Sequence, residues 1–133
     1  MTITTGYKQL ISEAREKIRT ISTQEAMAKL DDPNVIFVDI RDVRELEREG
    51  MIPNAFHAPR GMLEFWVDPD SPYHKDIFSS GKEYVLYCQS AWRSSLATLA
   101  LQDMGLTPIC HIDGGFKAWK EAGLPTSEKT NSR

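Results

Sequence analysis

Apolar residues recur at three- and four-residue intervals between positions 7 and 18, where Tyr7, Leu10, Ile11, Ala14 and Ile18 are separated by Glu13, Arg15, Glu16 and Lys17. That period predicts an amphipathic helix, with its apolar stripe packed on the rest of the chain or presented to a partner. Ser22-Thr23-Gln24-Glu25 has the spacing of a capping box ahead of Ala26, Met27 and Leu30, so a second short helix is expected to start near Thr23 and end before a turn at residues 31 to 34. The pattern then changes. Val35-Ile36-Phe37-Val38 is continuously apolar, β-branched and short, as in a strand covered on both faces, and Asp39 lies at its end. Asp42 to Glu49 reads as a charged helix closed by Gly50, and residues 51 to 59 as a turn leading into a brief strand. Residues 60 to 67 form another short helix carrying Met62, Leu63, Phe65 and Trp66, and residues 68 to 82 are mostly loop, with one helical turn near 74 to 78.

A second β-favouring run, Tyr84 to Tyr87, ends at Cys88, and helical spacing resumes over residues 94 to 104 through Leu96, Leu99, Ala100 and Met104, with Gly105 closing it. Pro108 to Ile112 reads as the last strand. Asp113-Gly114-Gly115 makes a turn, Phe116 to Ala122 a final helix, and residues 126 to 133 a polar tail expected to be disordered. Strands alternating with helices predict an α/β domain with a mostly parallel sheet, whose sites lie at the carboxyl ends of its strands.

Composition narrows the class without naming a chemistry. With 133 residues, 41% apolar and 26% charged, the chain fits one domain with one core. A formal charge of -3 offers no basic footprint for nucleic acid or anionic lipid. The first residues lack the basic and apolar regions of a secretion signal and no apolar run is long enough to span a bilayer, so the expected location is cytoplasmic. The two cysteines, Cys88 and Cys110, are then expected as thiols, although a pairing between them is open at this point.

Cys88 carries the candidate chemistry. It sits between a strand and a helix, where the amides of a curled loop and the first N–H groups of the helix can converge on an anion. A thiolate is the reactive form of cysteine, and such a position favours it. Amides from Gln89 to Arg93, pointing inward, would hydrogen-bond an anion on the sulfur, and Arg93 could add a fixed positive fork. On the residues alone, an inert buried cysteine and an arginine in a structural ion pair, for instance with Asp39, stand equally open.

Four motifs in order change that balance: Val38-Asp39-Ile40-Arg41, Gly50-Met51-Ile52-Pro53-Asn54-Ala55, Val85-Leu86-Tyr87-Cys88 with its six-residue loop, and His111-Ile112-Asp113-Gly114-Gly115-Phe116-Lys117-Ala118-Trp119. Together they resemble the single-domain rhodanese family over about residues 22 to 125. The resemblance implies a parallel sheet of about five strands flanked by helices, with residues 1–21 as an added helical extension and residues 126–133 as a tail. It also implies a sulfurtransferase that moves a sulfane sulfur from thiosulfate or a similar donor to cyanide or a thiol through a persulfide on Cys88. Gln89, Ser90, Ala91, Trp92, Arg93 and Ser94 would line the substrate site, and a protein thiol is a further candidate acceptor. No cofactor and no nucleic-acid or membrane partner is implied.

Related phosphatases of this fold carry Cys-x5-Arg, one residue more than the Cys88 to Arg93 loop, which points to a cradle sized for a single added sulfur. Two positions depart from the family pattern. Many relatives have glycine where this chain has Ala91, and alanine tolerates positive φ poorly; Asn54 replaces another glycine and suits a left-handed turn. A binding module without turnover is the reading from a different class. Asp39 and Arg41 are expected to be structural, Cys110 a buried apolar residue, and Trp66, Phe116 and Trp119 core or rim positions, with Phe65, Trp66 and Trp92 as candidates to wall the entrance. His57, His74 and His111 are too scattered to suggest a metal site.

Overall fold

Two apolar runs set the centre of the sheet. In the computed structural model, which describes residues 2–129, Val35–Asp39 (β2) and Glu83–Tyr87 (β4) pair in parallel along their whole length, and both faces of each are covered. Ile109–Ile112 (β5) joins the far side of β4, Phe56–His57 (β3) the far side of β2, and Thr20–Ile21 (β1) the outer edge of β5. All pairs are parallel, and the order is β1-β5-β4-β2-β3.

The pleat of β4 divides the core. Tyr84, Leu86 and Cys88 point to one side with Val38, Leu63, Phe78, Ala97 and Leu101, while Val85 and Tyr87 point to the other with Ile21, Phe37, Ile112, Phe116 and Trp119. Helices cover both layers: Tyr7–Lys17 (α1), Thr23–Ala28 (α2), Val43–Glu49 (α3), Leu63–Val67 (α4), Trp92–Asp103 (α5) and Gly115–Glu121 (α6). The Ser22–Glu25 capping box forms as predicted, and a second one joins Asp42 and Glu45 at the start of α3.

Four findings refine the sequence reading. β1 falls within the expected 1–21 helical extension, between the helix expected to end at 18 and the cap at Ser22; its two residues become a strand through pairing with His111 and Ile112. The helix expected from 60 to 67 is a 3-10 turn, Arg60–Met62, running into α4. The helix expected from 94 begins at Trp92, and its fully buried positions are Ser94, Ser95, Ala97, Thr98 and Leu101, with Met104 exposed. In the expected tail, Ser127 exchanges two backbone hydrogen bonds of 2.8 Å with Met51, while residues 130–133 lie outside the described residues. Among the described residues no helix is long and apolar enough to cross a membrane.

Candidate active site

The carboxyl ends of β2, β4 and β5 meet at one edge of the sheet, and the Cys88 loop curls over it. Cys88 follows β4 directly and its side chain is buried; Gln89 and Arg93 are half-buried, Ser90 and Trp92 exposed. Ala91, the position that departs from the family pattern, adopts φ 75° and ψ 2° and serves as the N-cap of α5. A left-handed alanine costs about 1–2 kcal/mol. Its carbonyl is gripped twice in return, by the Ser95 N–H at 3.1 Å and the Ser95 hydroxyl at 2.6 Å. Asn54 takes φ 66°, the left-handed turn expected of it. The amide that donates to Cys88 Sγ is that of Ser94, at 3.3 Å, one residue beyond the loop's last member.

The loop's carbonyls are held from the other side. Phe116 N–H donates to the Cys88 carbonyl at 2.8 Å and Lys117 N–H to that of Gln89 at 3.0 Å, so the first turn of α6 draws these oxygens outward. Gly115 makes the approach possible. A Cβ at this position, which has φ +62°, would lie 2.5 Å from the Cys88 carbonyl oxygen and 2.8 Å from that of Gln89. Gly115, expected only as part of a turn, is therefore what lets the start of α6 approach the Cys88 loop.

Two guanidinium groups flank the loop, each closed by a carboxylate. Arg41 is fully buried and binds Asp39 through Nε and Nη2 at 3.0 and 2.7 Å, the Gly50 carbonyl at 2.7 Å and Gln89 Oε1 at 3.2 Å. Its plane lies over the Phe116 ring at 4.2 Å, so one side chain ties β2, the end of α3, the loop and α6. Arg93 pairs with Glu45, not with Asp39, through two bonds of 2.8 and 3.0 Å. That pairing holds the Glu45 carboxyl below the usual carboxylate range, and Glu45, followed by Cys88, raises Arg93. Gln89 Nε2 donates to Glu49 at 3.1 Å.

A family model of the rhodanese-like domain matches residues 22–122. The chain belongs to the rhodanese family. Among relatives of this rhodanese, an uncharacterized protein of Synechocystis is 39% identical over 98 residues, which are 74% of this chain and 50% of that one. The chain thus spans half the length of that relative. A sulfurtransferase of Allochromatium vinosum is 32% identical over 95 residues, covering 71% of this chain and 80% of the relative. A solved structure from Rhodopseudomonas palustris, described as a protein of unknown function and possible tyrosine phosphatase, is 50% identical; it covers 96% of this chain and 98% of its own, with a TM-score of 0.92.

The remaining expected residues of this rhodanese are placed as follows. Trp92 meets Tyr7 of α1 with ring centroids 4.9 Å apart, so the N-terminal helix reaches the loop. Trp66 packs on Phe56 at 6.1 Å and under Lys75, while Phe65 is exposed and Trp119 and Phe116 are core. Cys88 and Cys110 are both free thiols, and burial pushes the Cys110 thiol up to about 11. His57 and His74 are engaged locally, with the Arg41 carbonyl at 2.7 Å and the Ser79 hydroxyl at 3.0 Å.

His111, expected in the last strand and in the fourth family motif but with no role for its side chain, lies beneath the loop. Its Nδ1 is 2.8 Å from the Ser94 hydroxyl and its Nε2 2.8 Å from that of Thr20, so β1, β5 and α5 share one buried polar chain. Burial first, then Arg15, lowers its pKa to about 4. The unfolded chain takes up a proton below about 6.5 and the folded one only near 4, so the stability this residue contributes is complete above the higher value and is lost as pH falls toward the lower. Between pH 7 and pH 4 the loss attributable to His111 is expected to be on the order of 3 kcal/mol. Urea unfolding across this range should show a shallower decline for His111→Gln than for wild type; equal slopes would contradict the assignment.

Proposed function

We propose that this rhodanese is a sulfurtransferase that carries a sulfane sulfur as a persulfide on Cys88. Similarity to a sulfurtransferase supports sulfur transfer in general terms. The observation that carries the specific reading is the setting of Cys88 Sγ: at the base of a six-residue loop, with the Ser94 N–H donating to it and the Arg93 charge beside it.

In the first half-reaction the Cys88 thiolate attacks the outer sulfur of the donor. A new S–S bond forms to Cys88 while the donor's own S–S bond breaks, and the leaving group, sulfite in the case of thiosulfate, departs with the electron pair. The Ser94 amide stabilises the negative charge left on the persulfide. In the second half-reaction cyanide or a thiolate attacks the terminal sulfur, the bond to Cys88 breaks, and the Cys88 thiolate returns. A covalent intermediate of this kind gives ping-pong kinetics. Gln89, Ala91 and Trp92 shape the cradle, and Ser90, exposed at its rim, is free to offer a hydroxyl to substrate. The Ser94 hydroxyl is already engaged by His111.

The test is an intact-mass measurement after incubation with thiosulfate and, separately, with an organic persulfide. A gain of one sulfur is expected with at least one donor, removed by cyanide and located by peptide mapping at Cys88. No gain with either donor, the behaviour of a binding module, or a gain located at Cys110, would sink the proposal. The phosphatase description of the Rhodopseudomonas structure supplies the second reading. Against it stand the four residues between Cys88 and Arg93 and the engagement of both Arg93 terminal nitrogens by Glu45. Brisk Cys88-dependent hydrolysis of an aryl phosphate would reverse that preference.

A further inference from the structure

The pairing of Arg93 with Glu45 is more than a local ion pair. Both terminal nitrogens of the guanidinium face both carboxylate oxygens, the arrangement that leaves least freedom to either group. Glu45 is itself fixed. Its Oε2 also accepts the Asp42 N–H at 3.0 Å in the capping box of α3, and its side chain is only 17% exposed. The other cation at the loop, Arg41, is buried and committed to Asp39, while Gln89 leads to a further carboxylate, Glu49. An anion approaching Cys88 therefore meets a positive fork whose charge is already matched.

Resting on the sulfurtransferase reading above, we propose that Glu45 is a specificity-determining residue that shields Arg93 from the incoming donor. The site then favours donors whose reacting end carries at most one negative charge, such as an organic persulfide, over dianionic thiosulfate. The chemistry is the same for both. With R–S–SH, a bond forms between Cys88 Sγ and the outer sulfur, the donor's S–S bond breaks, and R–S⁻ leaves with the electron pair.

Glu45→Gln isolates the charge, because glutamine also serves at this position of a capping box and can accept one bond from Arg93. Unmatched, the Arg93 charge attracts the thiosulfate dianion, whereas the reacting form of the persulfide, R–S–SH, carries no charge for it to act on. In single-turnover loading of Cys88, the half-saturating concentration of thiosulfate is expected to fall about tenfold in Glu45→Gln, against less than about twofold for 2-hydroxyethyl persulfide, with the limiting rates much less affected.

A second arm needs no sulfur transfer. The rate of Cys88 alkylation by iodoacetate relative to neutral iodoacetamide should rise severalfold in Glu45→Gln and stay near wild type in Glu45→Asp, which keeps the charge. An unchanged ratio in Glu45→Gln, or an equal change in both variants, overturns the shielding role whatever the donors do. A wild-type chain that accepts sulfur from neither donor overturns the sulfurtransferase reading, and the donor preference with it, even if the alkylation ratio moves.

Discussion

Replacing Cys88 by serine is expected to take sulfur transfer below about one thousandth of the wild-type rate while leaving the fold in place. A serine hydroxyl at this position would still accept the Ser94 N–H that now reaches Sγ at 3.3 Å, so the loop keeps its hydrogen bond. The oxygen is nonetheless a poor nucleophile toward divalent sulfur and forms no stable persulfide equivalent. The stability change should stay within about 1 kcal/mol, since a small buried side chain is exchanged for one of similar size with a partner at hand. The comparison that gives the result its meaning is Cys110→Ala. Cys110 lies in β5, fully buried and with its thiol pushed up to about 11, and its loss should leave turnover intact. Steady-state turnover and thermal unfolding of both variants check the prediction. Residual turnover above a tenth of wild type in Cys88→Ser would mean that another group carries the sulfur.

The second large effect concerns stability. Arg41 and Asp39 are both fully buried, and Asp39→Ala would strand the guanidinium with only the Gly50 carbonyl and Gln89 as polar partners. Removing one member of a buried pair typically costs about 3–5 kcal/mol, because the remaining charge has lost its water and gained nothing in return. Asp39→Ala should therefore lower the urea midpoint by an amount of that order, a large share of the total stability of a domain this size. The double variant Asp39→Ala/Arg41→Met should recover a good part of the loss, because an apolar side chain in the same space has no charge to strand. If the double variant is as unstable as the single one, the cost lies in packing and not in the unpaired charge. Loading of Cys88 should slow in Asp39→Ala as well, since Arg41 also positions Gln89 at the start of the loop.

Much of this arrangement was legible in the chain, for reasons that differ from element to element. The central strands announce themselves because they are covered on both faces, and a continuous apolar run such as Val35 to Val38 has few other uses in a short segment. The start of α2 was legible because a capping box is local, needing only Ser22 and Glu25. β1 was not, because two residues carry no period; Thr20 and Ile21 are a strand only by virtue of β5 beside them. The buried face of α5 was misread because the helix has two covered sides. Its fully buried positions are Ser94, Ser95, Ala97, Thr98 and Leu101, it packs against both β5 and α1, and Leu96 and Leu99 are only half-buried. In the site, the Cys88 loop is contiguous, so its residues were legible as one stretch. Glu45 and His111 were not, because their partners Arg93 and Ser94 are 48 and 17 residues away in the chain and no spacing rule connects them.

Ala91 closes the account in a different currency. Glycine in its place would relieve the 1–2 kcal/mol of left-handed strain, but it would also enlarge the conformational freedom of the unfolded chain, by about 0.4–1 kcal/mol. The two terms oppose each other and leave a difference of about 0–1.6 kcal/mol, so exchanging one residue for the other has only a modest effect on whether the protein folds. What does change is the width of the energy well in which the loop sits. A β-carbon confines φ and ψ to a small basin that glycine would leave broad, and in this chain that basin is the observed one, φ 75° and ψ 2°. Alanine thus trades a little strain for a stiffer loop, one whose backbone is confined before any ligand arrives.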